Sequence, residues 1–230
     1  MDTIVIDNWY ENPDEIREIA LSNFRERCLD GDLENEYVPL YPGNRTFTNV
    51  DNLNDNLVKF EKTLNKKINQ KRWVYNNAVN ISVYDFPETC VYDFEENGFR
   101  LKETGQYINI GARSNGEFQY ITEEYTPWVH HDVDTMIAAA VYLTPNPPVH
   151  SGTGMYEHKK TKQRRFNSET TKLTREEYFV EDDWFLIEEI ENVYNRCIIW
   201  DPQKFHKCVG TFGTDVNNSR LTQVFFFDLE

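Results

Sequence analysis

Tyr125-Thr-Pro-Trp-Val-His-His-Asp-Val-Asp134 is where this chain concentrates its chemistry. Side chains alternate along an extended strand, so His130 and Asp132 project from one face about 7 Å apart and His131 points the other way. An imidazole nitrogen and a carboxylate oxygen at that spacing supply two ligands of a transition-metal site that keeps open positions after a second histidine joins. That histidine is expected far downstream, at Phe205-His206-Lys207-Cys208-Val209. If His131 were the ligand instead of His130, Asp132 would face away from it, so alternation favours His130.

Beyond His206 the chain runs through a Gly/Asn-rich turn into Ser219-Arg-Leu-Thr-Gln-Val-Phe-Phe-Phe227. A guanidinium in so apolar a strand is costly to bury without an anion, and its fork matches a carboxylate through two parallel hydrogen bonds. Thr222, two residues on, shares the face of Arg220 and has a hydroxyl for the same carboxylate. Cys208 shares the side of His206 in a regular strand and is expected to be shielded from oxidation.

The rest of the chain supplies the scaffold. Ile4-Val-Ile reads as a short strand. Asn12-Pro13-Asp14-Glu15 opens a helix with Asn as cap, Pro in the first turn and acids at the positive end, followed by an apolar stripe at Ile16, Ile19, Ala20 and Phe24. Residues 30 to 50 are loop-like, with Gly31, Pro39, Pro42 and Gly43. From Asn52 to Asn69 the residues Leu57, Phe60, Leu64 and Ile68 fall on one helical face.

From Trp73 onward the period changes to two. Trp73-Val-Tyr, Val79 to Tyr84, Val91 to Phe94, Tyr107 to Ile110, Phe118 to Thr122 and Trp128 to Asp132 alternate between turn residues, which is antiparallel β patterning. Thr135 to Leu143 reads as a fully buried strand. Thr174-Arg-Glu-Glu177 forms a capping box that opens an acidic amphipathic helix over Tyr178 to Val193. Residues 155–195 thus read as an insertion, a candidate lid, before the last strands at Cys197 to Trp200 and Leu221 to Leu229. The pattern predicts an α+β chain with a sandwich or barrel core.

The chain has 230 residues, enough for one domain with a sheet core and flanking helices, and its apolar content of 39% supplies the core. A net charge of −15 opposes attraction to nucleic acid or anionic membranes. The one basic run, His158-Lys-Lys-Thr-Lys-Gln-Arg-Arg165, reads as a solvated loop. Cys28, Cys90, Cys197 and Cys208 have no CxxC spacing and read as free thiols in a reducing compartment. The N-terminus lacks a signal-peptide pattern and no run approaches the length of a membrane span, so a soluble cytoplasmic protein is expected.

His130-x-Asp132, then His206, then Arg220-x-Thr222 resembles the signature of the 2-oxoglutarate- and Fe(II)-dependent dioxygenases. Asn12-Pro13-Asp14, Tyr41-Pro-Gly-Asn-Arg45, Ala140-Val-Tyr-Leu-Thr-Pro145 and Gly152-Thr-Gly-Met-Tyr-Glu-His158 extend the likeness to bacterial and phage, prolyl-hydroxylase-like members. The resemblance implies a double-stranded β-helix, or jelly roll, with the N-terminal helices packed on one sheet. It implies Fe(II) on His130, Asp132 and His206, and 2-oxoglutarate held by Arg220 and Thr222, with Tyr120 or Tyr125 as a further hydrogen-bonding candidate. The implied reaction uses O2 to decarboxylate 2-oxoglutarate to succinate while hydroxylating a small molecule, an amino acid or a protein side chain. A non-redox, cupin-like jelly roll that binds a metal or ligand is the alternative, although a cupin has no use for Arg220 at the closed end of the site.

Overall fold

Ile137-Ala-Ala-Ala-Val-Tyr142 is buried at every position, because both of its faces are covered. A computed structural model of the chain describes residues 1–29, 44–48, 52–73, 90–93, 98–101, 107–108, 115–132, 135–174 and 176–230. In chain order its strands are β1 (Ile4–Ile6), β2 (Asn44–Thr48), β3 (Cys90–Asp93), β4 (Gly98–Leu101), β5 (Tyr107–Ile108), β6 (Glu117–Ile121) and β7 (Ile137–Tyr142). Then come β8 (Thr153–His158), β9 (Trp184–Ile190), β10 (Cys197–Trp200), β11 (His206–Cys208) and β12 (Arg220–Phe227), while helices α1 (Pro13–Leu29), α2 (Leu53–Leu64) and α3 (Gln70–Trp73) fall early. This is an α+β chain with antiparallel sheets.

The large sheet has six strands in the order β1-β10-β7-β12-β6-β2, a smaller one runs β11-β8-β9, and a third runs β3-β4-β5. The two-residue period assigns the faces of the large sheet. Ile137, Ala139 and Val141 of β7, Cys197 and Ile199 of β10, and Leu221, Phe225 and Phe227 of β12 pack with Ala20, Leu21 and Phe24 of α1 and Phe60 of α2. Ala138, Ala140, Tyr142, Ile198, Trp200 and Val224 occupy the other face and meet Met155 of β8. This second face is the inner one, between the large and small sheets.

A polar hub pins the helix layer. The Asn56 Oδ1 accepts from the Trp9 indole at 2.8 Å and the Tyr10 hydroxyl at 3.2 Å, while Asn56 Nδ2 donates to Asn52 O at 2.8 Å. Gln223, 0% exposed, joins the same network through Asn52 and Gly116. Buried amides of this kind are tolerated because their donors and acceptors are matched.

Several sequence expectations are corrected. The second helix ends at Leu64, with Asn65 in the left-handed region at φ 50° and its N–H on Glu61 O, so Ile68 lies beyond it and bridges to Leu229. Trp73 closes the short helix α3 rather than opening a strand. The capping box does form, with Thr174 N–H on Glu177 Oε2 at 2.7 Å and Glu177 N–H on Thr174 Oγ1 at 3.4 Å, but it opens only a single 3-10 turn at Glu176–Phe179. The expected acidic helix over Tyr178 to Val193 is the strand β9, paired with β8 in register from Thr153 opposite Ile190 to His158 opposite Trp184. Trp-Phe-Leu-Ile at the start of β9 suits a pleated surface, and tertiary pairing outweighs the local helix signal. The expected strand over Val79 to Tyr84, the loop residues from Gly31 to Gly43 and the side chains of Cys28, Arg45 and Cys90 lie outside the described residues.

Among the described residues no helix is long and apolar enough to cross a membrane.

Candidate metal centre

His206 begins β11, which pairs with β8 so that His206 faces Met155 and Cys208 faces Thr153. The segment carrying His130 adds to the same sheet through one bridge, with His130 N–H on His206 O at 3.0 Å and His206 N–H on His130 O at 2.8 Å. The expected strand through Trp128 to Asp132 is therefore a single bridge rather than a ladder. Asp132 is fixed by its own N–H on Pro202 O at 2.8 Å.

These constraints gather the ligating atoms of His130, Asp132 and His206 within 4.8 Å of one another. His206 Nε2 lies 3.3 Å from Asp132 Oδ2, near the roughly 3 Å that separates neighbouring ligands on an ion with bonds of about 2.1 Å. Both imidazoles are held by backbone carbonyls: Nδ1 of His130 is 3.1 Å from Trp128 O, and Nδ1 of His206 is 2.7 Å from Lys204 O. A carbonyl only accepts, so each Nδ1 carries the proton and each Nε2 presents its lone pair. Two imidazole lone pairs and a carboxylate that converge in this way suit a divalent transition-metal ion. Burial, with the neighbouring His206 imidazole adding to it, holds His130 far below the usual range, at about 3, so the ring is neutral and ready to ligate.

His131 points away, as alternation predicts. Its ring stacks on Phe166 at 4.0 Å with an interplanar angle of 4°, and its Nδ1 lies 3.3 Å from the Tyr178 hydroxyl. Val129, Tyr156, Trp184 and Phe205 continue this cluster on the outer face of the small sheet, joined by Phe166, Leu173 and Tyr178. The segment between β8 and β9 thus packs on the back of the sheet that carries the histidines. Two of its arginines are matched by acids, Arg164 with Glu157 at 2.8 Å and Arg165 with Asp201 at 3.2 Å. His150 is exposed beside Glu189, and His158 is buried against Trp184; neither belongs to the metal cluster.

Arg220 lies on the inner face of β12 at 5% exposure. Its Nε donates to Ser151 O at 2.9 Å and its Nη2 to Thr153 Oγ1 at 3.4 Å, while the guanidinium carbon sits 5.3 Å from the centre of the Tyr142 ring. The Tyr142 hydroxyl is in turn 2.8 Å from Thr153 Oγ1. Since Thr153 is the register partner of Cys208, Arg220 stands one two-residue β-step, about 7 Å, beyond His206. Thr222 shares the inner face and donates to Gln119 O at 3.4 Å. Cys208 is buried, with its thiol pushed up by burial, as the expectation of shielding requires.

Tyr120 does not share this face. Its register partner is Leu221, and it packs edge-on against Phe24 at 4.9 Å on the helix side. The residues of β6 on the inner face are Glu117, Gln119 and Ile121, opposite Val224, Thr222 and Arg220. Tyr125 is half-buried in the turn that its N–H closes onto Thr122 O. Sequence reasoning passed over Tyr142 and Thr153, which seat the guanidinium. Their signal was the two-residue spacing of Tyr142 from Ala140 and Ala138 on one face of β7.

No family model matches the chain, and no curated protein matches it. Similar solved structures include a prolyl-4-hydroxylase of Pseudomonas putida, at 11% identity and a TM-score of 0.43, covering 98% of this chain and 91% of that one. A prolyl hydroxylase from Trichoplax adhaerens in complex with a hypoxia inducible factor peptide fragment is similar at 10% identity and a TM-score of 0.42, covering 98% and 82%. HygX from Streptomyces hygroscopicus, with nickel and 2-oxoglutarate bound, is similar at 12% identity and a TM-score of 0.44, covering 98% and 81%.

Proposed function

We propose that this chain is an Fe(II)- and 2-oxoglutarate-dependent oxygenase, a single catalytic domain with a double-stranded β-helix core. It hydroxylates a C–H bond of a small molecule, an amino acid or a protein side chain, consuming O2 and releasing succinate and CO2. The observation that supports this best is the convergence of His130, Asp132 and His206 within 4.8 Å, with both histidine tautomers set by backbone carbonyls.

His130, Asp132 and His206 would hold the ferrous ion, which when bound supplies the activation of O2 for oxidation of the oxo acid and the substrate. The protein's own groups do the rest. Trp128 O and Lys204 O keep Nδ1 protonated on each ring, so the lone pairs stay turned toward the ion. Arg220 and Thr222 receive the distal carboxylate of 2-oxoglutarate. Tyr142 and Thr153 hold the guanidinium flat and in place for that carboxylate. Ala138 and Ala140 put only methyl groups between the sheets, and the apolar side chains around them keep water from the reacting centre.

The test is succinate formation from 2-oxoglutarate with added Fe(II) under air, in the wild type and in Asp132→Ala and Arg220→Ala. Turnover that is lost in both variants is expected. Stoichiometric iron binding without calorimetric binding of 2-oxoglutarate would overturn the assignment and favour a non-redox, cupin-like metal-binding protein.

A further inference from the structure

Trp200 ends β10 at 6% exposure, in register with Ala138 of β7 and on the inner face with Ile198. Its ring centre lies 5.3 Å from that of His206, at an interplanar angle of 69°. The indole Nε1 is buried and has no hydrogen-bond partner among the described residues. An indole nitrogen can only donate, and a buried donor left unpaired is costly. The buried Trp9 indole, by contrast, donates to Asn56 Oδ1 at 2.8 Å.

Trp73 and Trp184 also carry unpaired buried indoles, in the helix-side and outer clusters. Trp200 differs from them in position. It lies in the inner cluster beside a candidate metal ligand, and Ala138, its partner on β7, contributes only a methyl group. Phenylalanine would fill the apolar surroundings of Ile198, Ala138 and Val224 without the unpaired donor. A guest held between the sheets beside His206 that brings an acceptor would pair this donor.

We infer that the Trp200 indole N–H donates a hydrogen bond to an oxygen of the 2-oxo acid at its metal-held end, opposite the end that Arg220 receives. This rests on the oxygenase assignment. Arg220 lies toward Thr153 and Cys208, whereas Trp200 lies beside His206, so the two residues address opposite ends of one dicarboxylic ligand. The contact makes Trp200 a residue that recognises the oxo-acid end specifically.

Trp200→Phe removes the N–H and keeps an aromatic ring. Calorimetry on the Zn(II)-loaded protein should show 2-oxoglutarate binding weakened about ten- to a hundredfold. Binding of succinate, which lacks the oxo-acid end, should be unchanged. The melting temperature of the metal-free, ligand-free protein should be equal or higher, because no partner is lost. In the wild type, one of the five indole N–H resonances should move downfield when 2-oxoglutarate is added to the Zn(II) form; this readout stands even if the variant does not fold. Equal affinity of wild type and variant for 2-oxoglutarate overturns the inference. So does a lower melting temperature with equal losses for both ligands, which would mark a structural water as the acceptor. Failure of the wild type itself to bind 2-oxoglutarate overturns the oxygenase assignment, and the inference with it.

Discussion

His130 and His206 exchange backbone hydrogen bonds, N–H to O at 3.0 Å one way and 2.8 Å the other, with ring centres 4.4 Å apart. The two imidazoles are thus positioned by a closed backbone pair rather than by side-chain contacts alone. Replacing either His130 or His206 by Ala should lower affinity for Zn(II) or Ni(II) by more than about 100-fold, the upper end of what losing an outer-shell partner costs. His131→Ala should leave metal affinity close to wild type, because that ring is committed to Phe166 and Tyr178. Chelator competition measures all three, and a loss in His131→Ala as large as in His130→Ala would reassign the ligand.

Arg220→Lys keeps the charge but discards the fork. The lysine ammonium cannot hold Ser151 O, Thr153 Oγ1 and a carboxylate in one plane. Affinity of the metal-loaded protein for 2-oxoglutarate should fall about tenfold or more, an effect of at least ~1.4 kcal/mol. Metal affinity itself should not change. An Arg220→Lys variant with unaltered 2-oxoglutarate binding would place the carboxylate elsewhere.

Asn56→Ala deprives the buried Trp9 indole of its acceptor, while the Tyr10 hydroxyl keeps Gln223 Oε1. Stranding that donor should cost about 1–3 kcal/mol, read as a lower urea midpoint with an unchanged slope. The metal ligands sit on the far side of the large sheet, so the metal affinity of the folded fraction should be retained.

Alkaline pH should destabilise the fold. Burial pushes the Cys197 thiol and the Tyr10 phenol up, so both stay neutral in the native state. In the unfolded chain they ionise near about 8.5 and 10. Above the unfolded value the unfolded state binds fewer protons than the native state, so stability declines as pH rises. The urea midpoint should drop between pH 8 and 10, and drop less steeply in Cys197→Ala. Equal slopes in the two proteins would remove Cys197 as a cause.

β7, β10 and β12 were legible as strands because each packs on both sides, leaving short runs in which nearly every position is apolar. Arg220 and Thr222 stood out for the same reason. The segment from Tyr178 to Ile190 misled: its capping box is real, but pairing with β8 makes Trp184–Ile190 a strand. Tyr120 was a candidate because it precedes the metal pair, yet its register with Leu221 turns it toward α1. A strand pattern says which residues share a face, not which of the two faces is inner.

What the sequence by itself determined is the chemistry available: two imidazoles, one carboxylate two residues from the first of them, and a guanidinium in an apolar strand with a hydroxyl two residues away. The tertiary structure alone decided how these groups are oriented. Trp128 O and Lys204 O select the tautomers, Tyr142 and Thr153 seat Arg220, and β10 brings Trp200 against His206. Local sequence encodes the period of side chains along a strand, whereas each of these partners is set by the register of strands far apart in the chain, and a slip of one residue would send every one of them to the opposite face.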